Sequence, residues 1–120
     1  MSAQYLKNIE FETALELADL VAYQAGQVVS CTLVQNGSVG ITLFSFDKAE
    51  QISSHASSGD AMLTVLTGKA RITIGEKEHS VAAGETIVMP NNVPHAVYAE
   101  EQFKMLLVVG TGVGYNEYVN

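Results

Sequence analysis

Two histidines, His55 and His95, bracket the stretch of this chain with the clearest capacity for chemistry. Imidazole is a common metal ligand, and its unperturbed pKa lies nearest neutrality, so two imidazoles in one cavity point to metal binding or proton transfer. His55 sits in a polar bend (Ser53, Ser54, Ala56 to Asp60) that feeds a β-rich run stopping at Gly68. His95 follows a turn containing Pro90, Asn91, Asn92 and Pro94, which itself follows a short apolar strand opened by Gly84. Each histidine is therefore beside a strand and close to a loop, a placement that can bring both rings to one open end of a closed sheet. A lone histidine near a loop is ordinarily solvated or bonded locally, and spacing alone leaves that reading open. His79, near the return after Gly75, reads as surface or hairpin packing.

The elements that must position these residues are mostly short strands. Val28 to Val34 alternates and is rich in β-branched residues. Asn36 and Gly37 then give a hairpin turn signal before Ile41 to Phe46. Asp47 to Ser54 reads as a polar connection delivering His55. Met62 to Leu66 is apolar on both faces, as expected with the barrel interior on one side and a second layer on the other. Its expected partner is Ala70 to Ile74, where Ala70, Ile72 and Ile74 alternate with Lys69, Arg71 and Thr73. Gly75, Glu76 and Lys77 return the chain into Glu78 to Val81, and Thr86 to Met89, His95 to Tyr98 and Phe103 to Val109 complete the pattern. Glu10 to Val21 carries a weak helical pattern that Asn8 could cap. Many short strands without a long amphipathic helix predict an antiparallel sandwich or barrel.

The 120 residues are expected to form one domain, with a core barrel over about 28–110. With 48% hydrophobic and 16% charged residues the composition suits a compact fold. A formal charge of -7 is the wrong sign for a nucleic-acid surface or an anionic membrane. Cys31 is the only cysteine, so an intrachain disulfide is impossible; it reads as a small buried hydrophobe. The N-terminus lacks the apolar core of a signal peptide and no run approaches the ~20 residues of a membrane span, so a cytoplasmic location is the default expectation. Gly110 to Gly114 has glycine spacing suggestive of a dinucleotide-binding turn, but only Tyr115 to Asn120 follow, too few for the helix that would hold the pyrophosphate. A glycine-rich exit from the last strand is expected instead. Neither nucleophile triads, nor a phosphate loop, nor paired inward carboxylates are found.

The chain resembles the cupin family, small jelly-roll β-barrels, of the conserved-barrel, RmlC-like type. One family motif has the form H-x-H, three or four residues, E, six residues, G; the other has G, five residues, P-x-G, two residues, H. His55 and Gly68 match the first, and Gly84, Pro90 and His95 match the second at its proper spacing. Ser57 stands where the first motif has its second histidine, Ala61 where it has glutamate, Asn92 where the second motif has glycine, and Ala99 where asparagine commonly follows. Asparagine tolerates the left-handed backbone that glycine supplies, so the turn at Asn92 is expected to survive.

The resemblance implies an all-β antiparallel jelly-roll barrel with a short helical or irregular N-terminal segment, and places His55 and His95 in the cavity. Ser57 joins them as a ligand-binding residue by its motif position. Leu63, Val65, Ile72, Met89, Val97, Met105 and Leu107 are candidates for the cavity lining or for ordinary core. Met89 is the adaptable wall of a ligand site. Tyr98 and Tyr23 either offer a hydroxyl to a ligand or border the sheet. A resident catalytic metal normally has three or more protein ligands, and the motif is missing two. A weakly bound divalent ion (Zn, Ni, Mn or Fe) on His55, His95 and Asp60 is therefore an incomplete site, because strand alternation aims Asp60 to the opposite face unless a bulge intervenes. A small-molecule-binding barrel is the leading expectation, with a metal-dependent isomerase or oxygenase of small polar substrates and a non-catalytic assembly module as alternatives. A homodimer is expected over the outward face of Met62, Thr64 and Leu66, with Val28 to Val34 adding to the partner's sheet.

Overall fold

The computed structural model describes residues 4–56 and 58–112, with His55 described through its backbone; Ser57 and the exit beyond Gly112 lie outside the described residues. The described strands are β1 (Val28–Gln35), β2 (Val39–Phe46), β3 (Gln51–His55), β4 (Asp60–Thr67), β5 (Lys69–Ile74), β6 (Lys77–Ala82), β7 (Thr86–Met89), β8 (His95–Tyr98) and β9 (Phe103–Gly110). They form a five-stranded sheet ordered β1-β2-β9-β4-β7 and a four-stranded sheet ordered β3-β8-β5-β6, with every pairing antiparallel. The inner faces meet in a core of Phe46, Leu63, Val65, Ile72, Met89, Val97, Phe103 and Met105 with smaller residues between them. The seven residues read from sequence as cavity lining or core all belong to this cluster or pack against it, with Leu107 at its margin.

The pairing of Met62 to Leu66 differs from the sequence expectation. β4 pairs with β7 and β9, whereas β5 pairs with β6 and β8. A single residue separates β4 from β5, fewer than the two a hairpin needs. That residue, Gly68, has φ +76 and turns the chain from one sheet to the other. A Cβ there would lie 2.1 Å from the Gln102 carbonyl oxygen, so the motif's closing glycine is a backbone requirement. Gly84, at φ +87, donates its N–H to Val65, and Asn92 holds φ 62, the left-handed turn expected of it.

Asp47 to Ser54 is the second correction. The polar connection ends early, because Gln51–His55 pairs with β8 and Ile52 reaches the core. The N-terminal segment is the short helical turn within an irregular run expected from the sequence, without the cap at Asn8. Only Leu17–Leu20 is helical, a 3₁₀ turn, and Asn8 does not cap it; Asn8 and Glu12 have positive φ, which interrupts any longer helix. Residues 4–22 instead run as a strap across the outer face of the five-stranded sheet, where Ile9, Leu17, Leu20 and Val21 cover Val29, Leu33, Leu43, Leu66 and Leu106. Cys31 is half-buried beneath it. Lys7 N–H donates to the Leu33 carbonyl and Asn8 Nδ2 to that of Thr32, tying the strap to β1. No helix among the described residues is long and apolar enough to cross a membrane.

Candidate functional site

The two ends of the barrel differ in what fills them. At one end Phe46 and Phe103, paired across β2 and β9, stack with centroids 4.5 Å apart and close the interior. The other end is bounded by the loops around Gly59, Asn91 and Gly110, and carries His95 and Ala61. A cleft of about 160 Å³ opens there among Ser58, Gly59, Asp60, Asn91, Gly110 and Thr111. Gly59 has room for no side chain, because its Cβ would lie 2.3 Å from the Gly110 carbonyl oxygen.

His95 begins β8 on its inward side, alternating with outward Ala96 and followed by buried Val97, and is itself 5% exposed. Its neighbours across the sheet are Ile74 on β5 and His55 on β3. The pairing with His55 depends on a register shift between Ile52 and His55, since Ile52 faces Val97 and an unbroken ladder would set Ser54 opposite His95. That bulge carries no sign in the sequence. Directly opposed residues of an antiparallel pair have Cβ atoms about 4.5–5.5 Å apart, so the backbone brings the two motif histidines together. His95 Nδ1 lies 3.3 Å from the Val93 carbonyl oxygen, a hydrogen bond when Nδ1 carries the proton.

The facing wall is apolar. Ala61 is buried at the motif's carboxylate position, opposite Met89 on β7 and Val109 on β9. Asp60 is exposed one residue earlier, and its Oδ1 accepts the Asn91 N–H at 2.8 Å, which binds two mouth loops together. Among the described residues no three His, Cys, Asp or Glu side chains come together as a metal site. The donor set at the described positions does not fit a resident metal: the carboxylate position is a methyl group, and the adjacent aspartate is occupied in a turn.

The tyrosines lie elsewhere. Tyr98 is on the outward face of β8, with the Arg71 guanidinium 4.5 Å from its ring centroid, so its hydroxyl borders the sheet. Tyr23 follows the strap, its hydroxyl 2.8 Å from that of Thr67 and the Lys104 ammonium 5.0 Å from its ring. His79 is half-buried on the inner face of β6 opposite Ile72, two strands and about 10 Å from β8.

A family model described as a cupin domain matches residues 42–109. A conserved protein of unknown function from Streptococcus pyogenes is similar at 49% identity and a TM-score of 0.89, over 92% of this chain and 96% of that one. A cupin superfamily protein from Desulfitobacterium hafniense shares 33% identity at a TM-score of 0.84, over 88% and 96%. A cupin 2 conserved barrel domain protein from Leptotrichia buccalis shares 43% at 0.79, over 80% of this chain and 47% of that one. No curated relative matches.

Proposed function

The chain belongs to the cupin family, and from that premise we propose that it binds a small amphipathic molecule at the barrel mouth, with His55 and His95 as its polar contacts. One observation carries the reading. The backbone opposes the two motif histidines, while the position that would complete a metal site presents the buried methyl of Ala61. His95 is buried on one sheet, and Ala61, buried on the other, pairs with Met89 and Val109; a ligand with one hydrogen-bonding end and a small apolar body suits such a mouth. His95 Nδ1 donates to the Val93 carbonyl when it carries the proton, which sets the orientation of the ring. Asp60 acts through the backbone, holding the Asn91 loop that forms the rim.

Histidine-ring NMR on the purified protein tests this, with hexanoate and hexanamide as probes. The rings of His55 and His95 are expected to shift with saturation at millimolar probe while His79 stays put, and Ala61→Phe, which fills the wall, is expected to abolish the response. Equal shifts at His79, or shifts that survive Ala61→Phe, would overturn the reading. Elemental analysis on the same sample is expected to give well under one transition metal per chain, and stoichiometric metal would replace this reading with the metal-dependent one.

A further inference from the structure

Charge is sorted between the two faces of the barrel wall. The charged residues of the described strands are Asp60, Lys69, Arg71, Lys77, Glu78 and Lys104, and all but Lys77 face outward. Asp60 precedes inward Ala61 and Lys69 precedes inward Ala70, Arg71 lies over Tyr98 with Glu78 at 3.7 Å, and Lys104 donates to the Ala18 carbonyl of the strap at 2.6 Å. Lys77 is paired with Ile74, which packs against the core, and directly paired residues of an antiparallel ladder share a face. The inner register of the four-stranded sheet therefore runs His55, His95, Ile74 and Lys77 along the mouth, with His79 one pair deeper opposite Ile72. Every charged or imidazole-bearing position on that register is a base, in a chain of net charge -7.

We infer that Lys77 sets the ligand class of the mouth, a small molecule bearing a carboxylate. This rests on the reading of the mouth given above and adds the sign of the charge its ligand carries. Lys77 and His95 stand on one rim, because the Gly75 N–H, in the turn before Lys77, donates at 2.8 Å to the carbonyl of Pro94, the residue before His95. Two strand spacings, about 10 Å, separate their backbones. The flexible four-carbon stem of a lysine carries its ammonium into that span. A carboxylate there accepts a charge-assisted hydrogen bond, roughly twice as strong as a neutral one. The nearby acids are turned away from it: Asp60 faces outward with Oδ1 on the Asn91 N–H, Glu78 faces Arg71, and Glu76 is exposed in the turn, outside the paired rows. A cleft lined by one sign of charge focuses the field, so this mouth attracts an anion that the acidic outer surface repels.

Hexanoate and hexanamide share one apolar body and differ in charge, so the test compares their affinities by NMR titration of the His95 ring in the full chain, at neutral pH and low ionic strength. Hexanoate is expected to bind about tenfold tighter, a difference of ~1.4 kcal/mol. The preference should shrink toward unity at about 1 M salt, where the Debye length is about 3 Å, a readout that needs no variant. Lys77→Met is expected to bring hexanoate down to the affinity of hexanamide, and Lys77→Arg to keep the preference. Lys69→Met, which removes an outward cation of the same sheet, is expected to leave the preference intact. Equal affinities in the wild type, or a preference that survives Lys77→Met, would overturn the inference and leave the mouth a binding site. Failure of both probes to move the ring would remove the mouth reading and this inference with it.

Discussion

The closed end of the barrel and its mouth are built from the same strands, yet they answer to different demands. At the closed end the interactions are all structural. Phe46 stacks on Phe103, Gly68 turns the chain under the Gln102 carbonyl, and Asp47 accepts hydrogen bonds from the Gly26 and Lys48 amides and the Gln102 side chain. At the mouth the same kind of interior carries a buried histidine on one sheet and a buried alanine on the other, and one aspartate accepts the Asn91 N–H. Family motif positions fall at both ends. Those that satisfy a backbone constraint (Gly68, Gly84, and asparagine for glycine at 92) match the motif or hold an equivalent, while positions 57 and 61 carry serine and alanine where the motif has histidine and glutamate. A fold and its chemistry are separable in one motif because they are enforced by different physics.

Three experiments press on that contrast. The largest effect is expected at the closed end: Gly68→Ala combines a left-handed backbone with a Cβ driven into the Gln102 carbonyl, and urea unfolding should show a loss of about 3–5 kcal/mol. A loss under 1 kcal/mol would mean the corner adapts and the glycine is dispensable. Next, restoring donors at the mouth with Ser57→His and Ala61→Glu should raise Zn²⁺ affinity in calorimetry at least about a hundredfold, or ~2.7 kcal/mol. His55→Ala in that background should remove most of the gain, and unchanged affinity would sink the placement of these positions around one point. The smallest effect belongs to Asp47, whose carboxyl is held below its ordinary pKa by the Gly26 N–H, the Gln102 amide and the Lys48 N–H. Its contribution is complete above the ordinary carboxylate pKa of about 3.9 and is lost as pH falls through the lower folded value. Asp47→Asn should therefore flatten the acid limb of the stability profile and leave stability near neutrality with little pH dependence from this site; an unaltered acid limb would show that other carboxylates govern it.

The barrel was legible because alternation, glycine punctuation and strand length all survive in the sequence. Alternation put Ile72 on one face with Ala70 and Ile74, and the turn at Asn92 followed from the backbone it tolerates. What escaped was pairing. Alternation in Met62 to Leu66 gives the faces of a strand and says nothing of its partners, which here depend on how tightly Gly68 turns. β3 escaped because Ile52 is its single apolar residue, enough for one inward contact and too little for a pattern. The shift that sets His55 opposite His95 lies within that same strand, so the relation most relevant to the site was invisible where the signal was weakest. The N-terminal residues read as a short helix or turn, or an irregular segment, and their weak helical pattern suits a strap because covering a sheet also needs apolar residues at intervals of three and four.

The strap's two bonds to β1 have a consequence of another kind. β1 is outermost in its sheet, and an outermost strand offers unpaired amides and carbonyls to any passing chain. Lys7 and Asn8 occupy the Leu33 and Thr32 carbonyls, so part of that template is already spoken for. A chain shorn of its first residues would expose both the carbonyls and the apolar surface of Leu33 and Leu43 beneath. Its characteristic failure would then be strand-by-strand polymerisation of barrels that are still folded, which makes the strap a guard of solubility as much as a piece of the core.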